Sequence, residues 1–284
     1  MRTTCSPERS ETVNARVAVT IADGIADVRL DRAEKMNALD SAMFSALLET
    51  GERLKRERAI RAVVLSGVGR AFCAGLDMLS FERMSGGGSV GDEGSGPLGC
   101  GLLARTFGNA NAFQHVAMMW RDIPVPVIAA LHGVAFGGGL QISLGADIRY
   151  VTPDARLSVM EIKWGLVPDM AGVLLMRELA RPDVVRELTF TGRQFSGEDA
   201  VRLGIATQVH ADPYAQALST ARNLAQQSPD AVRAAKRLLN MALAADPASV
   251  LLAESLEQDR LIGSPNQLEA VRANLEGRSP EFLD

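Results

Sequence analysis

The chain has 284 residues, a formal net charge of −4 and a hydrophobic fraction of 47%. This length suits one large α/β domain, or such a domain with a smaller appendage, and it is ample for a hydrophobic core. A slightly acidic balance without a long basic block makes nucleic acid and anionic membranes unexpected partners. No apolar stretch of the sequence approaches transmembrane length.

Cysteine usage and the polar N-terminus bear on the compartment. Cys5, Cys73 and Cys100 are scattered without C-x-x-C spacing, which argues for a reducing compartment and against a structural zinc, so no metal site is expected. Residues 1–14 are polar rather than typical of a signal peptide, and we predict that they are disordered. The expectation is a cytoplasmic enzyme.

The first half of the chain shows alternating, helical and low-complexity patterns in turn. Alternation on both sides of Asp23-Gly24 predicts a hairpin over residues 17–30. Asp40 is placed to cap a helix with apolar residues at helical spacing, and Ala62–Leu65 reads as a buried strand. Residues 85–101 are rich in glycine and serine, which predicts a mobile surface loop.

The second half begins with strands and ends with helices. We predict a helix from about Leu102 to Arg121, a buried strand over Val127–Leu131, and short strands over Ile148–Val151 and Arg156–Val159. From Ala171 onward the pattern is almost entirely helical. Strand–helix alternation followed by helices predicts an α/β core with a helical C-terminal appendage.

Three consecutive glycines, Gly137–Gly139, follow the predicted strand over Val127–Leu131 and open a helix. A turn of bare backbone lets a ligand approach, and the first N–H groups of the helix carry partial positive charge. Such a turn can bind an anion or a developing oxyanion, or it can be a tight turn that binds nothing. Neither a G-x-G-x-x-G dinucleotide fingerprint nor a P-loop is present here.

A second turn follows the strand Ala62–Leu65 and has the same logic. Gly75 is small, and Asp77 is placed to cap a short helix after it. Backbone N–H groups near Leu76 can therefore face a ligand as those near Gly138 can. Two backbone donors from two turns are the minimum that can bind a carbonyl oxygen as it gains negative charge.

Further motifs occur in order along the chain: Ala146–Arg149, Glu161–Pro168, Gly192–Ala200 and Ser228–Ala231. Together with the two glycine turns, over Ala71–Asp77 and His132–Gly139, they resemble the crotonase (enoyl-CoA hydratase/isomerase) superfamily. The resemblance covers nearly the whole chain beyond residue 15.

The resemblance implies an α/β fold, a crotonase-type spiral of ββα units over residues 15–210. The helical region over 211–284 would drive assembly into a homotrimer or a dimer of trimers. The N–H groups of Leu76 and Gly138 would form the oxyanion hole for an acyl-CoA thioester. Ala74 and Lys35 lie where the family contacts coenzyme A, which would enter only as part of the substrate, so no separate cofactor is expected.

The carboxylates of the site decide which reaction the resemblance implies. Hydratases of this family place a glutamate on the helix after the glycines and a second one about twenty residues later; this chain has Gln141 and Glu161 there. An amide cannot act as an acid or base, so Gln141 is expected to line the pocket and to orient water or substrate. Glu161 is the expected principal acid/base.

Asp169 lies eight residues after Glu161 and just past Pro168. This segment partly resembles dienoyl-CoA isomerases, in which a glutamate and an aspartate at this spacing move a proton from one end of a conjugated system to the other. Those isomerases also have an aspartate where this chain has Gln141. Two simpler readings stay open: Asp169 as a helix N-cap, and Glu161 paired with Lys163.

Double-bond migration in an unsaturated acyl-CoA is therefore the first expectation for the reaction. Hydration of a 2-enoyl-CoA, with Gln141 positioning the water, comes second. A catalytically weak acyl-CoA-binding relative is a third reading. The position of Glu161 and Asp169 relative to one cavity separates it from an enzyme.

Overall fold

The computed structural model describes residues 10–13, 16–85 and 96–283. Two sheets and a series of helices form an α/β architecture, as predicted. The strands, in chain order, are β1 (Ser10–Val13), β2 (Val17–Ala22), β3 (Ile25–Leu30), β4 (Ala62–Gly67), β5 (Val127–Leu131), β6 (Val134–Phe136), β7 (Ile148–Val151), β8 (Arg156–Ser158), β9 (Phe195–Ser196) and β10 (Gln208–Val209).

The larger sheet has the strand order β1-β2-β3-β4-β5-β7-β10. Its first three strands pair antiparallel, while β3, β4, β5, β7 and β10 pair parallel. The predicted hairpin is confirmed, with Asp23 and Gly24 both at positive φ in its turn. In the smaller sheet β8 pairs parallel with β6 and antiparallel with β9.

The described helices are α1 (Ser41–Arg56), α2 (Met78–Ser85), α3 (Ala112–Asp122), α4 (Gly138–Leu144), α5 (Gly172–Met176), α6 (Pro182–Thr191), α7 (Gly197–Arg202), α8 (Pro213–Ala225), α9 (Pro229–Ala242), α10 (Pro247–Leu261) and α11 (Pro265–Glu276). Asp40 caps α1 as predicted, because its Oδ1 accepts a hydrogen bond from the Met43 N–H at 2.8 Å. In the part of the chain that the structure describes, no helix is long and apolar enough to span a bilayer.

Helices cover the larger sheet on both faces. Val63 and Leu65 of β4 face the main core, which also holds buried residues of α1 and α3, whereas Ala62 and Val64 face α8. Parallel strands buried on both faces read as continuous apolar runs, which explains the pattern of β4 and β5. Helix α8, which lies beyond the predicted division at residue 210, packs against the face of the sheet opposite the main core.

Several predicted boundaries differ from the structure. The helix predicted from Leu102 begins only at Ala112, because Asn111 and Gln114 form a capping box there. Disorder predicted over 1–14 is wrong for Ser10–Val13, which form β1; residues 1–9 and 14 lie outside the described residues. Of the loop predicted over 85–101, residues 86–95 also lie outside, and Gly96–Cys100 form a short 3-10 helix.

The C-terminal half also departs in detail from an all-helical pattern, since β9 and β10 interrupt it. Lys236 ties α9 to the core: its buried Nζ donates to the carbonyls of Trp120 and Val125 at 2.9 Å each and to Asp147 Oδ2 at 2.7 Å. Asp147 Oδ2 also accepts the Val127 N–H at 2.7 Å, so the start of β5 and α9 share one carboxylate.

Candidate active site

The glycine turn before α4 leaves a backbone N–H group at the helix start without a hydrogen-bond acceptor among the described residues. Gly137 adopts φ +50° and ψ −119°, a conformation that favours glycine, and its N–H donates to the Ser158 carbonyl at 3.0 Å. Gly138 is the first residue of α4, so its N–H has no acceptor within the helix. No other acceptor for it occurs among the described residues.

The turn around Gly75 leaves a second backbone N–H group, that of Leu76, without an acceptor among the described residues. The Leu39 N–H donates to the Gly75 carbonyl at 2.8 Å, and the Asp77 N–H donates to the Leu39 carbonyl at 3.0 Å. Successive amides of an extended segment point to opposite sides, so the Leu76 N–H points away from Leu39. Within the described ranges it has no protein acceptor.

These two turns lie in direct contact. Gly75 has φ +88°, and a Cβ built on it would lie 2.6 Å from the Phe136 carbonyl oxygen and 3.8 Å from the Gly138 nitrogen. Only glycine fits at this position, because both the backbone conformation and the space exclude a side chain. The amides of Leu76 and Gly138 therefore belong to neighbouring turns of one surface.

Glu161 lies beside the same turn. It begins the 3-10 helix Glu161–Trp164, and a Cβ on Gly137 would lie 3.0 Å from its Oε1. Oε1 accepts a hydrogen bond from Gln141 Nε2 at 2.6 Å, while Oε2 is buried without a hydrogen-bond partner in the described part of the chain. Burial raises the pKa of the Glu161 carboxyl, the nearby backbone N–H groups and the Gln141 amide lower it in part, and the negative charge of Asp169 adds to the rise.

Asp169 lies at the exposed edge of this group. The residue as a whole is exposed, yet the protein atoms around its carboxyl raise its pKa through desolvation. It does not cap α5, because the N-cap is Ala171, at φ +63° and without a side-chain cap. The charge of Asp169 contributes to the raised pKa of Glu161, and Gln141 links the two segments by bonding both Glu161 and the Met170 N–H directly after Asp169. Glu161 forms no ion pair with Lys163 among the described contacts.

The side chain of Gln141 is fully enclosed. It is 2% exposed, and its Oε1 accepts the N–H groups of Met170 and Gly172 at 2.9 Å each, while Nε2 donates to Glu161. Protein groups therefore occupy the carboxamide that the sequence suggested would orient water or substrate.

Lys35 and Ala74 lie on neighbouring segments. Lys35 ends the 3-10 helix Ala33–Lys35 and is exposed. The next residue, Met36, accepts the Ala74 N–H on its carbonyl at 2.9 Å. An exposed lysine beside the Gly75 turn can meet the phosphates of a bound ligand.

Asn37 supports the site and was missed in the sequence. It is fully buried at φ +56°, and its Nδ2 donates to the carbonyls of Val68, Ala71 and Phe72 at 2.9–3.2 Å. Its Oδ1 accepts the Arg32 N–H at 2.8 Å. The signal in the sequence is an asparagine between a hairpin and a helix, since asparagine tolerates left-handed backbone and bonds nearby main chain.

The described residues offer neither a metal-binding cluster nor a reactive thiol at this site. No group of three or more His, Cys, Asp or Glu side chains there could hold a metal ion. Cys73 is buried, its Sγ donates to the Asn37 carbonyl, and burial raises its pKa to about 12, so it packs rather than reacts.

Comparison with known proteins connects this geometry to a family. Residues 25–282 match the sequence model described as enoyl-CoA hydratase/isomerase. Enoyl-CoA hydratase domain-containing protein 2, mitochondrial, of Homo sapiens is 31% identical over 92% of this chain and 86% of its own length. Carnitinyl-CoA dehydratase of Proteus mirabilis (strain HI4320) is 30% identical over 93% and 97%.

The fold has close counterparts among solved structures. The crystal structure of enoyl-CoA hydratase from Bacillus anthracis superposes with a TM-score of 0.80 at 26% identity, covering 96% of this chain and 98% of that one. The resemblance inferred from the two glycine turns and the later motifs is confirmed, and so is the fold class that it implied.

Proposed function

This chain is a member of the enoyl-CoA hydratase/isomerase family, and we propose that it shifts a double bond in an unsaturated acyl-CoA thioester. The observation that carries this proposal is Glu161 Oε2, a buried carboxylate oxygen without a partner in the described residues, next to the turn of Gly137 and Gly138. A base held ready beside two unoccupied amides suits proton abstraction next to a carbonyl.

The Leu76 and Gly138 amides bind the thioester oxygen in this mechanism. When a C–H bond of the acyl chain breaks, its electron pair delocalises onto that oxygen as an enolate or dienolate. Two N–H donors stabilise the developing charge, and removing one such donor from an enzyme typically costs about 3–4 kcal/mol of barrier.

Glu161 and Asp169 carry the proton in this scheme. One carboxylate removes a proton at one end of the conjugated system, and the other carboxyl delivers a proton at the far end, so the double bond moves with no net change in composition. Desolvation by surrounding protein atoms raises the pKa of both groups, which brings each nearer to the range where a carboxyl can exchange protons at neutral pH.

Water addition or removal is the second candidate, and the dehydratase name of the Proteus mirabilis relative favours it. Against it stands Gln141, whose carboxamide is held by Glu161, Met170 and Gly172 rather than free to position water. A third candidate is an acyl-CoA-binding protein with little turnover. The buried Glu161 Oε2, without a partner among the described residues and next to the Gly137 turn, argues for chemistry.

A panel of saturated, 2-enoyl, 3-enoyl and 3,5-dienoyl thioesters tests these three candidates with purified protein. The proposal predicts that 3-enoyl- or dienoyl-CoA isomerises faster than 2-enoyl-CoA is hydrated. Equal or reversed rates would refute the isomerase preference, and binding of every thioester without turnover would favour the third candidate.

We also propose assembly as a homotrimer or a dimer of trimers, without a cofactor beyond the coenzyme A of the substrate, in the cytoplasm. Exposed leucines on α9 and α10 support assembly: Leu239 is 70%, Leu251 63%, Leu252 60% and Leu256 50% exposed. Light scattering tests the assembly, and a monomer at micromolar concentration would refute it.

A further inference from the structure

We propose that Gln141 is a positioning residue that fixes the orientation and the reactive oxygen of Glu161. The inference rests on the proposed function, since it concerns the same site. It replaces the role of a substrate contact that the sequence suggested for Gln141.

The protein determines which end of the Gln141 carboxamide faces Glu161. The N–H groups of Met170 and Gly172 both donate to Oε1, at 2.9 Å each, and an amide nitrogen could not accept them. The NH2 group must therefore face Glu161, where it donates to Oε1 at 2.6 Å. A carboxamide is the side-chain group of this size that accepts two N–H bonds at one atom and still donates from the other, at any pH.

This arrangement divides the work between the two oxygens of Glu161. Oε1 is occupied by Gln141, whereas Oε2 has no partner among the described residues, so Oε2 is the oxygen left to exchange a proton. The same side chain joins Glu161 to the backbone directly after Asp169, through Met170. Gln141 thus fixes both carboxylate-bearing segments relative to each other.

Two glycines make space for the hydrogen-bonded pair of Gln141 and Glu161, and both side chains pack closely against them. A Cβ on Gly172 would lie 2.5 Å from Gln141 Oε1, and one on Gly137 would lie 3.0 Å from Glu161 Oε1. Gln141 itself is 2% exposed, so a substrate does not reach it without displacing protein. These contacts favour a role through Glu161 over direct binding.

Gln141→Glu separates this role from a merely structural one. The Met170 and Gly172 N–H groups would still donate to one oxygen of the new carboxyl group. Its other oxygen would then face Glu161, and the two carboxyl groups would share a single proton between them. In that state an O–H replaces the N–H of the amide, and Glu161 keeps its orientation and charge. Loss of the shared proton puts two carboxylates in contact, a coupled pair whose upper pKa is raised.

The expected result is a new alkaline limb in the pH profile of kcat/KM. Gln141→Glu should remain within about threefold of the parent at acidic pH and fall by about tenfold per pH unit above the upper pKa of the pair. Gln141→Leu should lose about 100-fold in kcat at every pH, because Glu161 is no longer held. Gln226→Glu, an exposed position at the end of α8, is the matched control and should follow the parent.

Affinity for a saturated acyl-CoA, which needs no turnover, separates positioning from substrate contact. Positioning predicts that both Gln141 variants bind it within about twofold of the parent, since their effect is on the reacting group. Weakened binding with unchanged kcat would overturn the proposal, and so would a Gln141→Glu pH profile that superposes on that of the parent.

A final measurement keeps this inference distinct from the proposed function. If the parent turns over no thioester in the panel, the proposed function fails, but thermal unfolding across pH still tests the hydrogen bonds of Gln141. The upper pKa of the pair in folded Gln141→Glu lies above that of unfolded glutamate, so its stability should keep falling as pH rises up to that pKa, in an additional step at higher pH than the decline that the Glu161 carboxyl causes in the parent. Absence of that step would overturn the inferred arrangement.

Discussion

Replacing Glu161 by glutamine removes the proposed base while keeping its shape. Gln141 Nε2 donates to Oε1 at 2.6 Å, so the new amide would place its oxygen there and its NH2 group at the position of Oε2. The hydrogen bond that orients residue 161 therefore survives, but the atom proposed to take the proton becomes a donor. The change is confined to the reacting atom.

The expected loss follows from the role of a general base. Proton transfer by a positioned side chain contributes about 10²–10⁴-fold, which at about 1.4 kcal/mol per tenfold corresponds to about 3–6 kcal/mol of barrier. The folding stability of Glu161→Gln should stay the same or rise, although its activity falls. Because burial raises the pKa of the Glu161 carboxyl, its ionisation destabilises the fold as pH rises from the unfolded pKa through the folded one. Glu161→Gln should be at least as stable as the parent at neutral pH.

Three measurements test this prediction for Glu161→Gln. We expect kcat for the preferred unsaturated thioester to fall by at least about 100-fold, saturated acyl-CoA affinity to be retained in calorimetry, and the unfolding temperature at pH 7 to be unchanged or raised. Glu198→Gln, at an exposed position of α7, is the matched control and should leave all three unchanged. Turnover of Glu161→Gln within tenfold of the parent would remove Glu161 from the catalytic role.

Asp169→Asn should lower dienoyl-CoA turnover and raise stability near neutral pH, because the protein atoms around the exposed Asp169 carboxyl desolvate it and raise its pKa. The stability gain should shrink as pH falls toward the ordinary carboxyl pKa, and a gain that persists in acid would contradict this. Gly75→Ala should cost at least about 1–3 kcal/mol in denaturant unfolding and most activity, since its Cβ would lie 2.6 Å from the Phe136 oxygen, whereas Gly101→Ala (φ +75°, open space) isolates the cost of positive φ alone. Lys35→Ala should raise KM for CoA thioesters about two- to fivefold without changing kcat, and an equal effect on an N-acetylcysteamine thioester, which lacks phosphates, would exclude a phosphate contact.

The glycine turns could be predicted because their signal is local. Gly75 and Gly137 both adopt positive φ, and Gly75 also approaches the Phe136 carbonyl too closely for a Cβ. Such requirements select glycine wherever the rest of the chain lies. The strands β4 and β5 were equally visible, since burial on both faces leaves an uninterrupted apolar run.

The supporting contacts could not be predicted, because they join residues far apart in sequence. Gln141 meets Glu161 and Gly172, which follow it by 20 and 31 residues, and its environment decides that the amide is held rather than open. Asn37 likewise bonds carbonyls more than 30 residues away. Spacing alone indicates residue types but not which of their atoms remain free.

The predicted start of α3 was wrong for a related reason. Apolar residues from Leu102 onward suggested helix, but the capping box of Asn111 and Gln114 sets the helix start, and the Asn111 Nδ2 donates to the Leu102 carbonyl at 2.8 Å. Local hydrogen bonding by the cap thus overrode the periodicity.

A crystal structure of the protein with a saturated acyl-CoA tests most directly whether two main-chain amides grip one oxygen. The account predicts the thioester oxygen about 2.7–3.1 Å from both the Leu76 and the Gly138 nitrogens. A thioester carbonyl bound elsewhere, or either N–H donating to a protein carbonyl in the complex, would contradict it.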